Sequence, residues 1–166
     1  MLDRELIDEL WKNDPEMQRL AQEYDERPVN RILSRKINEF DNSIPHNVAQ
    51  RQFDMIRQIA DSGESAIFVG RCADYVLRDA DVRLLRVFVS APEEQRIARK
   101  MEQEHLTQPQ AARLLRKMDK QRRKYYETYS HNLWGDSTNY DLCIDTSTCT
   151  LDEAAARIAD RFRAMA

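Results

Sequence analysis

Apolar positions recur at helical spacing along most of this chain and gather into short, nearly unbroken runs at only three places. Leu6, Ile7, Leu10 and Trp11 form an i, i+1, i+4, i+5 stripe and predict a short helix over residues 3–12. Asn13-Asp-Pro15 ends it, and Pro15 suits the first position of a second helix reaching about Tyr24. After the break at Asp25-Glu-Arg-Pro28, Val29, Ile32, Leu33, Ile37 and Phe40 predict a third, and Asp41–Pro45 reads as a loop. His46–Asp61 is expected to be a longer helix with Val48, Phe53, Ile56, Ile59 and Ala60 on its apolar side, stopped by Ser62-Gly63.

The first apolar run, Ala66–Val69, ends at Gly70 and predicts a buried parallel strand. Tyr75–Leu77 follows as a short helix or turn. The second run, Leu84 to Ala91, is mostly β-branched or aromatic. It passes into Ser90-Ala-Pro-Glu93, where Ser90 and Glu93 match a capping box and Pro92 suits a first helical position. That helix is expected to reach about His105. Thr107-Gln-Pro-Gln110 repeats the start signal before a long basic helix to roughly Tyr129, and His131–Asn139 is a loop. Tyr140–Ile144 is the third strand, closed by Asp145-Thr-Ser-Thr148. Thr150-Leu-Asp-Glu153 is a further capping box, opening a helix with Ala154, Ala155, Ile158, Ala159 and Phe162. Strand, helix, strand, helices, strand, helix is the pattern of an α/β fold with a short parallel sheet.

At 166 residues this is expected to be a single domain over 1–166. The net charge of −3 argues against a protein whose whole surface binds nucleic acid. The charge is uneven, however. Residues 1–30 hold nine acids against four bases, whereas residues 96–124 hold ten bases against three acids. A basic stretch of that kind is either a solvated helix face or a site for an anion. The three cysteines, Cys72, Cys143 and Cys149, have no metal-like spacing and fit a reducing compartment. No apolar run approaches a membrane span and the N-terminus has no signal-peptide pattern, so a cytoplasmic location is expected.

The candidate chemistry lies where the first run ends. Gly70 allows a tight turn, and Arg71, Cys72 and Asp74 follow at the strand's carboxyl end, where open α/β sheets bind ligands. An arginine there suits a phosphate, because its planar fork donates two bonds. The alternative is structural: Asp74 pairs with Arg71 or Arg78 and closes the turn. Cys72 reads as packing rather than as a nucleophile. Tyr125, Tyr126 and Tyr129 either stack on a base or pack their helix, and Trp134 reads as a loop anchor. Asp145 is expected to serve a turn or cap.

Three motifs in this order, Val69-Gly-Arg-Cys-Ala-Asp-Tyr-Val-Leu77, Phe88-Val-Ser-Ala-Pro-Glu-Glu-Gln-Arg96 and Asp119-Lys-Gln-Arg-Arg-Lys-Tyr-Tyr126 with Trp134-Gly-Asp136 and Asn139-Tyr-Asp-Leu-Cys143, resemble the cytidylate kinase-like family, relatives of the nucleoside monophosphate kinases. The resemblance implies a P-loop NTPase-like, three-layer α/β/α fold and a mobile basic lid, here about residues 107–136. It implies phosphoryl transfer from ATP–Mg²⁺ to a nucleoside monophosphate such as CMP or dCMP. By the same resemblance Arg71 holds the acceptor's phosphate beside Asp74, Asp119 and Arg122 correspond to an Asp-x-x-Arg pair in the lid and base-binding region, and Arg116 and Arg123 join them as catalytic cations.

The chain departs from the family at one place. Its glycines, Gly63, Gly70 and Gly135, belong to no G-x-x-x-x-G-K-[ST] pattern, so the phosphate-cradling loop is missing. The resemblance starts after the first strand–loop–helix unit, a segment of about thirty residues expected in front of Met1 in such a fold. Without that strand, those at 66–70 and 84–91 are expected to pair directly, to borrow a strand from another chain, or to leave a raw edge. The alternative function is then a non-catalytic nucleotide-binding, regulatory or assembly protein.

Overall fold

The computed structural model describes the backbone of residues 39–165 and the side chains of residues 46–165. The helices expected over 3–12 and 15–24, and all but the end of that over 29–40, lie outside the described residues. The chain divides into two compact units, one of residues up to Leu84 with Lys124–His131, the other of Leu85–Arg123 with Asn132–Ala166.

In the first unit, α1 spans Glu39–Asp61. It starts earlier than expected and runs through Asp41–Pro45, so these turn-type residues do not form a loop. Pro45 removes one helical N–H. The helix is fixed by its buried stripe of Val48, Ala49, Gln52, Phe53 and Ile56, which recurs at i, i+4, i+8. It ends as expected: Ser62 Oγ donates to the Ile59 carbonyl at 2.8 Å, and Gly63 takes a left-handed φ of 78°.

The strand expected over 66–70 does not form. Only Phe68 makes a strand-type bridge. Ile67 is 71% exposed and Val69 43%, while Phe68 turns inward against Ile56, Ala73 and Leu77. A run of core-type residues becomes a buried strand only if layers cover both faces, and here one side chain in the run is covered. Gly70, Arg71 and Cys72 then turn the chain into α2, Ala73–Val76. Ala60, Val76, Ala80 and Leu84 complete this core.

The second unit holds the sheet. β1 is Val87–Ser90 and β2 is Leu142–Asp145, paired in parallel with Val87 opposite Leu142 and Ser90 opposite Asp145. Both strands are shorter at their starts than expected, because Leu84 packs in the first unit's core and Tyr140 packs on Phe88. One step before the register, Arg86 and Asp141 lock the starts of the two strands together. Asp141 accepts from the Arg86 backbone N–H at 2.8 Å, from Nε at 3.0 Å and from Nη2 at 2.7 Å. Asp141 N–H returns a bond to the Arg86 carbonyl at 2.9 Å. At the other end Thr146 donates to the Ser90 carbonyl through both N–H and Oγ1.

Between the strands lie α3, Glu93–Glu104, and α4, Gln108–Ser130. They pack through Ile97, Ala111 and Leu115, with Met101, Leu106 and Ala112 around them. The capping box expected for α3 is not made. Pro92 occupies the N-cap position with no side-chain bond, and Glu93 instead accepts from Arg116. At α4 half of the expected box is made: Gln110 Oε1 accepts from Thr107 N–H and Oγ1. The last two turns of α4 belong to the first unit. α5, Leu151–Arg163, follows β2 and carries the complete Thr150/Glu153 capping box. Phe88 meets Trp134 edge-on at 5.8 Å and Tyr140 at 5.0 Å. Gly135, at φ 80°, approaches so closely that a Cβ there would lie 3.1 Å from the Phe88 ring, and Trp134 anchors its loop as expected.

The described residues are thus mixed α/β, mostly helical, with a short parallel pair of strands.

Candidate functional site

Three consecutive residues lead into α2 with left-handed backbones: Gly70 at φ 76°, Arg71 at 55° and Cys72 at 53°. The conformation suits glycine but costs an L-residue about 1–2 kcal/mol, and it persists where surroundings enforce it, often at ligand sites. Arg71 is only 7% exposed and Cys72 only 3%. Cys72 packs, as expected. A guanidinium so withdrawn from water needs anions or acceptors around it.

Asp74 sits in the first turn of α2, three residues beyond Arg71, and is half-buried. Its Oδ2 accepts from the Tyr126 hydroxyl at 2.7 Å, a charge-assisted bond. The turn-closing ion pair that the structural alternative gives Asp74 is not made: Arg78 bridges to Asp79 at 3.1 Å and lies 3.9 Å over the Tyr75 ring. Arg71 and Asp74 therefore share one turn, with the carboxylate held from α4 rather than by the arginine.

The three tyrosines of α4 pack their helix against α1 and α2. Tyr125 donates to Gln52 Oε1 at 3.4 Å, and both are buried. Tyr129 lies edge-on to Phe53 at 5.4 Å and stacks near His46 at 6.2 Å. Burial, and secondarily negative charge at Cys72, push the Tyr129 hydroxyl from an ordinary 10.0 up to about 12. An acid raised by folding stabilises the fold below its unfolded value and loses that contribution as pH rises through the folded one. Spectrophotometric titration should therefore show Tyr129 ionising near pH 12. Tyr129→Phe should remove it and flatten the fall in thermal stability above pH 10.

The basic helix places its candidates in the second unit. Arg116 Nε donates to Glu93 at 2.8 Å, and Arg96 Nη1 donates to Asp119 Oδ2 at 2.8 Å. Arg116 and Asp119 share a face, as their spacing predicts, and that face meets α3. Arg96 Nε and Asp119 Oδ1 are buried without a hydrogen-bond partner. Arg122 is exposed on the helix surface, and the Arg123 guanidinium lies 5.9 Å from the Trp134 ring centre. Asp145 serves a turn, accepting from Ser147 N–H at 2.8 Å, a bond that holds its carboxyl below the usual range.

Sequence reasoning missed Tyr126 as the partner of Asp74, Arg96 as the partner of Asp119, and the Arg86–Asp141 lock. The lock had a signal: each residue directly precedes a run of strand residues, so opposite charges mark matching positions. The other two pairs join residues 52 and 23 positions apart and had none.

A donor site for Mg²⁺–ATP needs carboxylates for the ion and a backbone cradle for the phosphates. Among the described residues no group of three His, Cys, Asp or Glu side chains is placed to hold a metal, and the chain has no phosphate-loop pattern. Among the described residues no helix is long and apolar enough to cross a membrane.

The family model described as the cytidylate kinase-like family matches residues 1–148. A crystal structure of an uncharacterized protein from Eubacterium ventriosum is similar, with a TM-score of 0.67 and 29% identity, covering 89% of this chain and 88% of that one. No curated protein matches.

Proposed function

Since the chain belongs to the cytidylate kinase-like family, we propose that it binds a nucleoside monophosphate, CMP or dCMP, through the Arg71 turn. The observation that carries this reading is the withdrawn guanidinium of Arg71 in an enforced left-handed turn, with the Asp74 carboxylate three residues on. Arginine suits the phosphate as a two-bond donor, and a carboxylate suits the hydroxyl or amino groups of a nucleoside.

The catalytic extension of this reading is phosphoryl transfer from ATP–Mg²⁺. Such transfer asks a protein chiefly to position the phosphates and offset their charge. Arg122 and Arg123 supply exposed cations on α4, and Arg116 would have to leave Glu93 to join them. The three-layer P-loop fold and the lid role of residues 107–136 belong to the same extension. The second reading is that the acceptor nucleotide is bound but not phosphorylated.

Thermal melts separate these readings, because a ligand that binds only the native state raises the melting temperature by mass action. Stabilisation by CMP or dCMP, with none by ATP–Mg²⁺ and no ADP formed, is the signature of a binding protein. Stabilisation by both, with ADP formed, identifies a kinase. Melts unchanged by CMP, dCMP and ATP–Mg²⁺ alike would remove the nucleotide reading.

A further inference from the structure

Asp74 is a half-held carboxylate. One oxygen, Oδ2, takes the hydroxyl of a buried tyrosine from a different element, and among the described residues the other, Oδ1, accepts from no donor. The Tyr126 ring is 6% exposed and locked in the helix packing. Ser130 Oγ donates to the Tyr126 carbonyl at 2.7 Å, so its backbone is tied down too. A carboxylate needed only to cap a turn bonds to local backbone N–H groups, as Asp145 and Asp136 do here. Asp74 instead is gripped through one oxygen by a rigid donor, beside a buried arginine.

We propose that Tyr126 is a positioning residue that aims Asp74 Oδ1 at a hydrogen-bond donor of the bound nucleoside, so that Arg71 reads the phosphate and the Tyr126–Asp74 pair reads the sugar or base. The proposal rests on the Arg71 turn being the monophosphate site. The donor is a sugar hydroxyl or the exocyclic amine of cytosine. A rigidly held acceptor discriminates strongly, because a ligand lacking the donor leaves it unpaired in the complex. Tyr126→Phe keeps the ring and its packing and removes only the hydroxyl, so Asp74 swings free without the core being emptied.

Calorimetric titration of CMP, dCMP, UMP and inorganic phosphate into wild type, Tyr126→Phe, Asp74→Ala and the double variant tests this. CMP should bind Tyr126→Phe about tenfold more weakly, the scale of one polar contact, with inorganic phosphate unaffected. The double variant should bind CMP no more weakly than Asp74→Ala alone, since Tyr126 acts through Asp74. Losses for CMP and dCMP but not UMP identify the amine, and losses for CMP and UMP but not dCMP identify the 2′-hydroxyl. Equal losses for all three, with phosphate spared, place the contact on the 3′-hydroxyl. Unchanged CMP affinity in Tyr126→Phe, additive losses in the double variant, or an equal loss for inorganic phosphate would overturn the proposal while leaving the monophosphate site standing. A wild type that binds none of the ligands removes that site and this inference with it.

Discussion

Arg71→Ala is expected to lower affinity for CMP by about ten- to a hundredfold, as removal of a charge-assisted two-bond donor implies. Arg71→Lys should fall in between, because an ammonium keeps the charge but cannot present two parallel N–H groups. The backbone does not confuse the comparison. Arginine, lysine and alanine are all L-residues in the same left-handed conformation at φ 55°, so its cost is common to the three. What differs is burial: the arginine is 7% exposed, and alanine leaves that space unfilled. The ligand-free melt measures this second effect and calorimetry with CMP measures the first. Wild-type CMP affinity in a folded Arg71→Ala protein would take the phosphate away from this turn.

The largest effect on stability is expected at Asp141. Its carboxylate receives three Arg86 donors, and Asp141→Ala removes that acceptor from both a backbone N–H and a guanidinium. The side chains are 35% and 24% exposed, so the loss belongs nearer the charged hydrogen-bond range than the buried-pair range, about 2 kcal/mol. Asp141→Asn should cost less, since one carbonyl oxygen still accepts. The two variants should also differ from wild type in acid. Hydrogen bonds from Arg86 hold the Asp141 carboxyl below its ordinary 3.8. A lowered carboxylate stabilises the fold above its unfolded pKa and loses that contribution as pH falls through the folded one. Urea melts across the acid range should therefore show a shallower decline in Asp141→Asn than in wild type. Matching acid limbs in those two proteins would mean that the lock does not govern the pairing of β1 with β2.

What was legible in the chain was what neighbours decide. The box at Thr150 and Glu153 needs four residues and forms; Gly63 and Gly70 sit where the backbone turns left-handed. The helical stripe at 48–60 shows as core because a period of 3.6 survives whatever the helix packs on. The reading failed where a distant partner decides. Glu93 has the spacing of a cap but is taken by Arg116, 23 residues on. Ala66–Val69 has strand composition, yet only Phe68 is covered. Gln52 looks like a surface residue on its helix and is 1% exposed, because Tyr125 arrives from 73 positions away. The site divides the same way. Arg71 and Asp74 were visible as chemistry in one turn, while the tyrosine that donates to Asp74 had no local mark.

The parallel register of β1 and β2 has a consequence for how the protein is made. A parallel pair cannot close through a hairpin. The Arg86–Asp141 lock joins positions 55 residues apart, with two helices between them. On the ribosome, Val87, Phe88 and Val89 emerge as an apolar strand whose partner does not yet exist. At roughly 5–20 residues per second, the wait lasts about 3–11 seconds. For that interval the nascent chain carries an open sheet edge, the surface most prone to pairing with another chain. The demand on chaperones is thus set by the length of the crossover, and shortening the α3–α4 segment would shift it more than any change within the strands.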